Sequence, residues 1–520
     1  MTTTVPSLEL PVNSEEVPAA NAHTWKVLRK WNRGFFRFRW QAFLPGKNFS
    51  ERRFSITEAA LLLMVAYITS RGFGVVRQSI FNAMFGAGPE ANAYYAASRL
   101  PDTLFNLIAG GALTHAFIPT FVSYEKEHGK AEAWRLTSLL FNVLFVLLTV
   151  LVLLGEIFAP AFVNNLLVPG YPASEQALTT TLTRILLLQP LILGLSTIAT
   201  AVLTSKHQFV LPALSIAFYN IALILGLVVS VYIPGIGIYG PTIGVLVASI
   251  FQGAIQVPGL LKEGAHYSFI WDLKHQGLRD IMRLLGPNAL AIGLVYISFI
   301  VDTAVTSYLP DQASLAALHN AQMLVALLLS LLAQALSQAI LPQMSLQAAS
   351  RRFVRLRQTV IKVIVGSLVL SIPATIFLCL IGRPLIRILF QHGAFTSHVS
   401  DLTFMALLGF CVLLPGQIVD ELLVRGFYAL KDARTPLFTN ALSLGLHCGM
   451  IFLGLTVLTG QNAILAIPFA TCGAATLEAI LLGWLLFARL RREIKQDASM
   501  IRLYRRRKAQ ALATSEALSN

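Results

Sequence analysis

About twelve long apolar runs, separated by short polar connections, occupy most of this 520-residue chain. A run of about 20 apolar residues is long enough to cross a bilayer as a helix. Inside lipid every backbone polar group must be paired within the protein, so only helices or closed barrels span. The runs are continuous and do not alternate, which favours helices. Only 12% of the residues are charged, against about 25% in soluble domains. The sequence therefore predicts an all-α integral membrane protein.

The apolar runs define the predicted spans. They lie near 57–84, 89–122, 134–160, 177–204, 209–232, 239–262, 278–308, 312–342, 357–381, 399–429, 435–458 and 463–489. No cleavable signal peptide is expected, because residues 1–23 are polar and lack an apolar core.

Lys and Arg occupy alternate connections, which sets the expected orientation. The connections near 86–90, 161–176, 233–238, 309–311 and 459–462 contain neither residue, whereas the others carry Lys126, Lys130, Arg135, Lys206, Lys262, Lys274, Arg279, Arg283, Arg351, Arg352, Arg355, Arg357, Lys431 and Arg434. Only Arg383 and Arg387, near 382–398, depart from this pattern. Because basic loops stay on the cytoplasmic side, both termini are predicted to be cytoplasmic, which requires an even number of spans.

An internal repeat underlies this count. Residues 112–119 match residues 335–342 at an offset of 223, and Pro160 recurs as Pro384 at an offset of 224. We therefore expect two six-helix lobes related by a pseudo-two-fold axis along the membrane normal, a known transporter plan. The predicted divisions are a tail at 1–56, an N-lobe at 57–262, a cytoplasmic linker at 263–277, a C-lobe at 278–489 and a basic cytoplasmic tail at 490–520.

Two arginines lie well inside the first apolar run, Arg71 and Arg77. A charge at the centre of a spanning helix costs about 2.5–3.5 kcal/mol on insertion scales. Their presence indicates a water-filled cavity and an anionic partner. The alternative is that both snorkel to the membrane surface. At a rise of 1.5 Å per residue they are about 9 Å apart along the helix axis, which is too far for both to reach one interface.

The segment 24–53 interleaves nine Lys and Arg residues with aromatic ones. Aromatic rings at the headgroup level and cations over phosphate are typical of a surface-lying helix on anionic lipid. The alternatives are a nucleic-acid-binding patch and a solvated tail. Beside so many spans we expect anionic lipid and no nucleic acid as the partner.

Further polar residues are predicted to be buried among the spans. Arg99 on the second span aligns with Gln322 through the repeat, which places both near the lobe interface; Arg99 could equally lie at its helix's phosphate-level end. Asp302, alone in a long apolar run, is the first candidate for coupling to a cation or proton. His447 and Glu478 are further coupling candidates, with helix-packing hydrogen bonds as the alternative.

Catalytic patterns are missing from the sequence. It contains no Ser-His-Asp pattern, no phosphate-binding loop and no metal-ligand spacing, so neither an enzyme nor an ATP-driven pump is expected. The four cysteines, Cys379, Cys411, Cys448 and Cys472, show no metal or disulfide pattern. We predict no cofactor and no metal site, and transport powered by an ion gradient or the membrane potential.

Several motifs resemble those of the MurJ (MviN) flippase family, within the multidrug/oligosaccharidyl-lipid/polysaccharide exporter superfamily. They are SRGFGVVR at 70–77, FGAG at 85–88, a Leu-Pro ending at Pro101, GA-x-x-x-AFIP at 111–119, LFQHGAFT at 389–396 and GFYALKDARTP at 426–436. The resemblance implies a bacterial inner-membrane protein that flips lipid II, an undecaprenyl-pyrophosphate-linked peptidoglycan precursor, by alternating access. It also implies that Arg71 and Arg77 are the cavity arginines, and guanidinium groups bind phosphate oxygens bidentately.

The sequence departs from the family pattern in three respects. Phe105 and Gln322 stand where the family has arginines, and Gln78, Asn92 and Gly110 stand at acidic positions of the family pattern. No apolar run follows Arg489, where well-studied members have two further spans. The family thus implies a flippase for a polyprenyl-pyrophosphate-linked glycan, with Arg71, Arg77, Arg99 and Gln322 as binding residues. The alternatives are an antiporter for another substrate that uses Asp302, and a transport-incompetent scaffold that recruits cell-wall enzymes.

Overall fold

The structure, a computed structural model, describes residues 56–109 and 111–519. Most of these residues lie in helices, and none of them is in a strand. The helices are α1 (Ile56–Phe85), α2 (Pro89–Ala97), α3 (Arg99–Ile108), α4 (Gly111–His128), α5 (Lys130–Phe162), α6 (Ala173–Leu186), α7 (Leu188–Ser205), α8 (Val210–Tyr232), α9 (Tyr239–Ala254), α10 (Val257–Lys262), α11 (Gln276–Thr306), α12 (Ser314–Leu329), α13 (Ala335–Ala349), α14 (Phe353–Phe390), α15 (Ser397–Ala429), α16 (Arg434–Val457) and α17 (Ala466–Ser519). The predicted all-α membrane class is confirmed.

Nine helical stretches within the described residues are long and apolar enough to cross a membrane. They are Lys130–Leu167, Ala173–Ser205, Val210–Tyr232, Tyr239–Lys262, Ala289–Thr306, Phe353–Phe390, Ser397–Ala429, Arg434–Val457 and Gly460–Gln496. The three other predicted spans, 57–84, 89–122 and 312–342, coincide with α1, with α2–α4 and with α12–α13. The count of twelve stays a prediction.

Helix contacts follow the same pattern in the two halves of the sequence. In the first half α8 packs on α9, α1 on α8, α5 on α7 and α2 on α6. In the second half the helices at corresponding positions do the same: α16 packs on α17, α11 on α16, α14 on α15 and α12 on α15. This agreement is what a six-helix repeat produces. The lobe and linker boundaries themselves stay predictions.

The predicted second span is not one continuous helix. It consists of α2, α3 and α4, and the first break falls at Ser98. Pro101 follows three residues later and has no backbone N–H to donate to the carbonyl of Ala97, so a regular helix cannot pass through this point. The break separates α2 from α3, and residues of both short helices line the candidate site.

Arg383 and Arg387, the two basic residues that depart from the loop-charge pattern, lie beside a carboxylate. Arg383 donates to Asp401 from Nε at 3.0 Å and from Nη2 at 2.7 Å, and Arg387 lies 3.7 Å from the same carboxylate. The carboxylate offsets part of the positive charge at this end of α14.

The predicted tail 490–520 is helical as far as Ser519, because α17 continues through it.

Candidate functional site

A cavity of ≈ 150 Å³ lies among the membrane helices of the first half and α12 of the second half. It is lined by Arg77, Gln78, Phe81, Tyr94, Tyr95, Ser98, Asp102, Leu186, Gln189, Tyr219, Leu223, Leu227, Pro241, Val245 and His319. One side of this lining is polar and aromatic, whereas the residues from α8 and α9 are mainly apolar. The cavity therefore offers polar recognition groups on an apolar background, the usual composition of a ligand site.

Arg77 is the cation of this cavity. Its side chain is half-buried and forms no ion pair within 4 Å with a described carboxylate, although the carboxylate of Asp102 lines the same cavity. Phe81, four residues after Arg77, and Gln78, three residues before Phe81, line the same cavity, because residues three or four apart lie on neighbouring parts of one helix face. A guanidinium stays charged even in a protein interior. An arginine held this way attracts an anion, and its planar fork suits phosphate oxygens.

Aromatic rings form the wall beside Arg77. The ring of Phe81 lies 5.0 Å from that of Tyr94 and 5.2 Å from that of Tyr95, measured between centroids. Tyr95 in turn stacks on His319, with centroids 4.2 Å apart and ring planes 24° from parallel. Because Tyr95 is on α2 and His319 on α12, this stack joins the two halves of the sequence at the cavity.

A buried network of side-chain amides lies next to the aromatic wall. The amide nitrogen of Gln78 donates to the hydroxyl of Tyr95 at 2.6 Å and to Oδ1 of Asn82 at 3.0 Å. Asn82 then donates from Nδ2 to Oδ1 of Asn320 on α12 at 2.8 Å. All four side chains are buried. Interhelical bonds of this type contribute about 0.6–2 kcal/mol each inside membranes.

Backbone contacts between the halves continue beyond this network, around the turn after α1. The amide of Ala394 donates to the carbonyl of Ala83 at 2.8 Å. A methyl group added to Gly86 would lie 2.5 Å from the Ala394 carbonyl oxygen. The same addition at Gly393 would lie 2.2 Å from the oxygen of Ala83. Both glycines have positive φ, +58° and +55°, so the close approach and the turn both require glycine.

Two side-chain hydrogen bonds also join the first half to the second half near the turn after α1. Ser79 donates to the carbonyl of Leu389 on α14, and Nδ2 of Asn92 donates to the carbonyl of Gln312 at 2.6 Å. The first half thus meets the second half at several points between the cavity and the turn after α1. Passage of a ligand through this end of the molecule requires these contacts to break.

A family profile described as "Lipid II flippase MurJ" matches residues 81–517. The chain belongs to the MurJ family. The relative from Rhizobium meliloti, a "Probable lipid II flippase MurJ", is 28% identical over 437 residues, which cover 82% of this chain and 78% of that protein. The "Lipid II flippase MurJ" of Burkholderia cenocepacia is 28% identical over 387 residues, which cover 72% of this chain and 74% of that protein.

Solved structures agree on the fold. A MurJ in an inward closed conformation superposes with a TM-score of 0.70 at 24% identity, covering 82% of this chain and 87% of that chain. An inward-facing multidrug transporter of the MATE family gives a TM-score of 0.72 at 13% identity, covering 84% and 99%. The fold of this MurJ-family chain is therefore shared with exporters of the wider superfamily.

Two positions where the MurJ-family resemblance expects acids carry amides that bind as donors. Gln78 donates to Tyr95 and Asn82, and Asn92 donates to the carbonyl of Gln312. An ionised carboxylate has no proton to donate. A carboxylate could therefore replace neither the bond from Gln78 to Oδ1 of Asn82 nor the bond from Asn92 to the Gln312 carbonyl, although at position 78 it could still accept from the hydroxyl of Tyr95. The third such position, Gly110, lies outside the described residues.

The other predicted binding residues do not line the cavity, or their side chains are not among those that the structure describes. Arg99 donates from Nε to the hydroxyl of Thr303 at 3.1 Å and lies over the ring of Phe299, so it contacts α11. Gln322 is half-buried on α12 and is not part of the cavity lining. Arg71 is on α1, but its side chain lies outside the described part, as does the segment 24–53.

The predicted coupling residues occupy two places in the second half. Nε2 of His447 on α16 lies 2.8 Å from Oδ1 of Asp302 on α11, and both side chains are about 95% buried. The other carboxylate oxygen of Asp302 has no partner in the structure. Glu478 on α17 is buried elsewhere, and accepts a hydrogen bond from Thr439 at 2.8 Å. Within the described residues, no group of His, Cys, Asp or Glu side chains has the arrangement of a metal site.

Sequence reasoning missed most of the cavity wall. Tyr94, Tyr95 and Tyr219 were not candidates, and Asp102 was not either. One signal was available: Gln78 and Asn82 are four residues apart in an apolar run, and such a pair shares one helix face. That spacing marks a polar face, although it does not identify the helix that the face meets.

Proposed function

We propose that this protein is a lipid II flippase. It moves a polyprenyl-pyrophosphate-linked glycan from the inner to the outer leaflet by alternating access, for peptidoglycan synthesis. Membership of the MurJ family and the names of its curated relatives support this function. The chain's own residues support it through the cavity chemistry, and the carrying observation is the position of Arg77.

Arg77 presents its charge to a cavity enclosed by helices, where it forms no ion pair with a described carboxylate, and Asp102 is the one carboxylate in the lining. An intramembrane charge is retained where it binds a substrate or an ion. The pyrophosphate of the substrate supplies several oxygens that a guanidinium contacts in pairs. The aromatic rings beside Arg77 offer apolar faces of the kind on which sugar rings pack. The cavity is small relative to a lipid-linked glycan, so entry requires the lining helices to separate.

Alternating access follows from the contacts between the halves. Asn82–Asn320, Ser79–Leu389 and the Ala83–Ala394 backbone bond hold the end of the molecule near the turn after α1 closed. By the loop-charge rule this end faces away from the cytoplasm. In our proposal these contacts break as the substrate's charged group passes outward, and they form again afterwards.

The finer assignments extend the same proposal. Arg71 joins Arg77 in holding the pyrophosphate, and Arg99 and Gln322 take part at the interface between the halves. Arg99 already contacts α11 through Thr303, so a movement of the halves alters its surroundings. Both termini are cytoplasmic, and the segment 24–53 binds anionic lipid of the inner leaflet.

Asp302 and His447 are proposed to couple transport to a proton or a cation. The pair is buried, spans two helices of the second half and leaves one carboxylate oxygen without a partner. A change of protonation or ion binding there alters how α11 and α16 pack, and α11 also contacts α3 and α4 of the first half. The membrane potential is the alternative source of energy, and Glu478 is a secondary coupling candidate.

The test is complementation of cells depleted of their own lipid II flippase, with the variants Arg77→Ala and Arg77→Lys. We expect Arg77→Ala to abolish growth at wild-type membrane levels. Arg77→Lys should rescue only partly, because a point charge cannot make a two-pronged contact. Arg184→Ala is the matched control, since Arg184 is half-exposed and paired with Glu156 away from the cavity.

Three results would contradict the proposal. Full growth of Arg77→Ala, together with unchanged binding of purified lipid II, would remove Arg77 from the mechanism. Failure of the wild-type chain to complement, combined with Asp302-dependent export of other substrates, would favour the antiporter. If the wild-type chain neither complements nor exports, and binds cell-wall enzymes, the scaffold alternative is correct.

A further inference from the structure

The stretch 265–273, which precedes α11, has a pattern that the proposed function does not use. It is non-helical chain between α10 and α11, and exposed residues alternate with partly buried ones from Tyr267 to Trp271. Tyr267, Phe269, Trp271 and Leu273 have large exposed fractions of 58%, 80%, 50% and 55%. Ile270 instead packs against the core around α5. The stretch thus exposes a row of aromatic and apolar side chains, whereas Ser268 and Ile270 between them are partly buried against the protein and Asp272 is exposed.

Hydrogen bonds hold this stretch along α5. Ser138 donates to the carbonyl of His266 at 3.3 Å and accepts from the amide of Ser268 at 3.2 Å. Asn142, one helical turn further, donates to the carbonyl of Ile270 at 3.0 Å and accepts from the hydroxyl of Tyr267 at 2.8 Å. Residues four apart lie on one face of a helix. Ser138 and Asn142 therefore form a track that sets the position of the stretch.

The lipid-facing surface of α5 indicates at what depth in the membrane Ser138 and Asn142 lie. Exposed large apolar side chains begin at Phe145, continue along α5 to Phe158 and end at Leu166 in the π-helical turn that directly follows α5. At 1.5 Å per residue this is about 32 Å, close to the roughly 30 Å of a bilayer's hydrocarbon core. Asn142 lies just before the start of that band, and Ser138 lies one turn further out. The stretch 265–273 thus crosses the helix at the level of the lipid headgroups.

We propose that residues 265–273 form an interfacial strap that binds anionic phospholipid headgroups of the cytoplasmic leaflet. Tyr and Trp are enriched at that depth, where an apolar ring and a polar edge are both satisfied. Exposed cations follow the strap at Lys274, Arg279 and Arg283, and the loop-charge rule assigns this side to the cytoplasm. Aromatic side chains and neighbouring cations together suit an anionic lipid surface.

The strap also has a mechanical consequence. It connects α10 of the first half to α11 of the second, and its bonds to Ser138 and Asn142 attach it to the first half. A lipid-bound strap therefore keeps the start of α11 at a constant depth while the halves move. This inference concerns the lipid surface and does not depend on which substrate the cavity binds.

The experiment measures the emission of Trp271 in the full-length protein reconstituted into vesicles. The contribution of Trp271 is the difference between the wild type and Trp271→Phe. We expect phospholipid brominated near the headgroup to quench this contribution strongly and aqueous iodide to quench it weakly. The buried Trp134 on α5, isolated in the same way with Trp134→Phe, is the control and should respond to neither quencher. Quenching of Trp271 by iodide alone would overturn the proposal.

Two further comparisons test separately the hydrogen bonds from Ser138 and Asn142 and the charges of the neighbouring cations. Ser138→Ala with Asn142→Ala should release the strap, so that iodide quenching of Trp271 rises. In vesicles with phosphatidylglycerol, wild-type Trp271 should be better protected from iodide than in pure phosphatidylcholine. The triple variant Lys274→Gln, Arg279→Gln, Arg283→Gln should lose that difference. Equal protection of the wild type in both vesicles would refute the anionic part of the proposal.

Discussion

Asn82 and Asn320, 238 residues apart in the chain, share a hydrogen bond of 2.8 Å between α1 and α12. Both side chains are fully buried. The bond lies between the cavity that holds Arg77 and the closed end near Gly86, and it joins the two halves of the chain. Its strength consequently bears on how readily that end opens.

Replacing Asn82 by Ala should favour opening at the end near Gly86. The change leaves Asn320 and Gln78 without one partner each, and interhelical bonds in membranes contribute about 0.6–2 kcal/mol. The readout is labelling of Ser98→Cys in the cavity by an impermeant thiol reagent added outside the cell, with the four native cysteines replaced. We expect faster labelling. Asn106→Ala is the control, because Asn106 donates within its own helix, to the carbonyl of Asp102. Equal rates in both variants would contradict the prediction.

Gly86→Ala should open the same end more strongly. A left-handed backbone costs an alanine about 1–2 kcal/mol, and here the added methyl also meets the Ala394 carbonyl oxygen at 2.5 Å. Gly460 supplies a close control, since its φ is +61° and no atom lies within 4 Å of an added methyl. In the Ser98→Cys assay, Gly86→Ala should exceed Gly460→Ala. If the two variants behave alike, backbone strain rather than contact accounts for the effect.

Single substitutions of Asp302 or His447 should each be more damaging than the double change. Removing one partner of a buried hydrogen-bonded pair leaves the other unsatisfied at a cost of about 1–3 kcal/mol, whereas the double variant Asp302→Asn, His447→Gln retains two amides that can bond to each other. We therefore expect a positive coupling of about 0.5–3 kcal/mol in a double-mutant cycle of unfolding. Thermal unfolding of the purified protein measures it. The folded double variant should also lose any dependence of transport on an ion gradient; independent effects of the two changes would argue against a coupled pair.

Acid should loosen the junction between α15 and α16 through Asp432. Partial burial works to raise the pKa of this carboxyl, but hydrogen bonds from Thr435, the charge of Arg489 and a hydrogen bond from Arg434 outweigh it, so the pKa is lowered. A pKa that is lower in the folded state stabilises the protein above the unfolded value, about 3.9 for Asp. This stabilisation is lost as the pH falls through the folded value.

The measurement is thermal stability as a function of pH for the wild type and for Asp432→Asn. The amide retains the ability to accept from the start of α16 but does not ionise. The variant should be less stable than the wild type at neutral pH, and the gap should narrow below about pH 4. Asp272→Asn is the comparison, because Asp272 is exposed and accepts from the backbone amide of Lys274. A gap that stays constant with pH would assign the effect of Asp432 to packing.

The class of the protein follows from the sequence alone. Apolar runs of membrane length and the position of Arg and Lys in loops depend on each segment's own residues and on lipid, so they need no knowledge of packing. The turn at Gly86 was also readable, because a glycine-rich break followed by Pro89 is a local signal. Family membership followed in the same way from short motifs at constant spacing, and it is confirmed.

Tertiary structure decided which polar side chains meet. Arg77 and Arg99 were both predicted to bind substrate, yet Arg77 lines the cavity and Arg99 contacts Thr303 on α11. Asp302 and His447 were separate candidates, and only the packing of α11 on α16 pairs them. Helical spacing identifies the face on which a residue lies. The partner of that face depends on how whole helices rotate and cross, which depends on side-chain packing along their entire length.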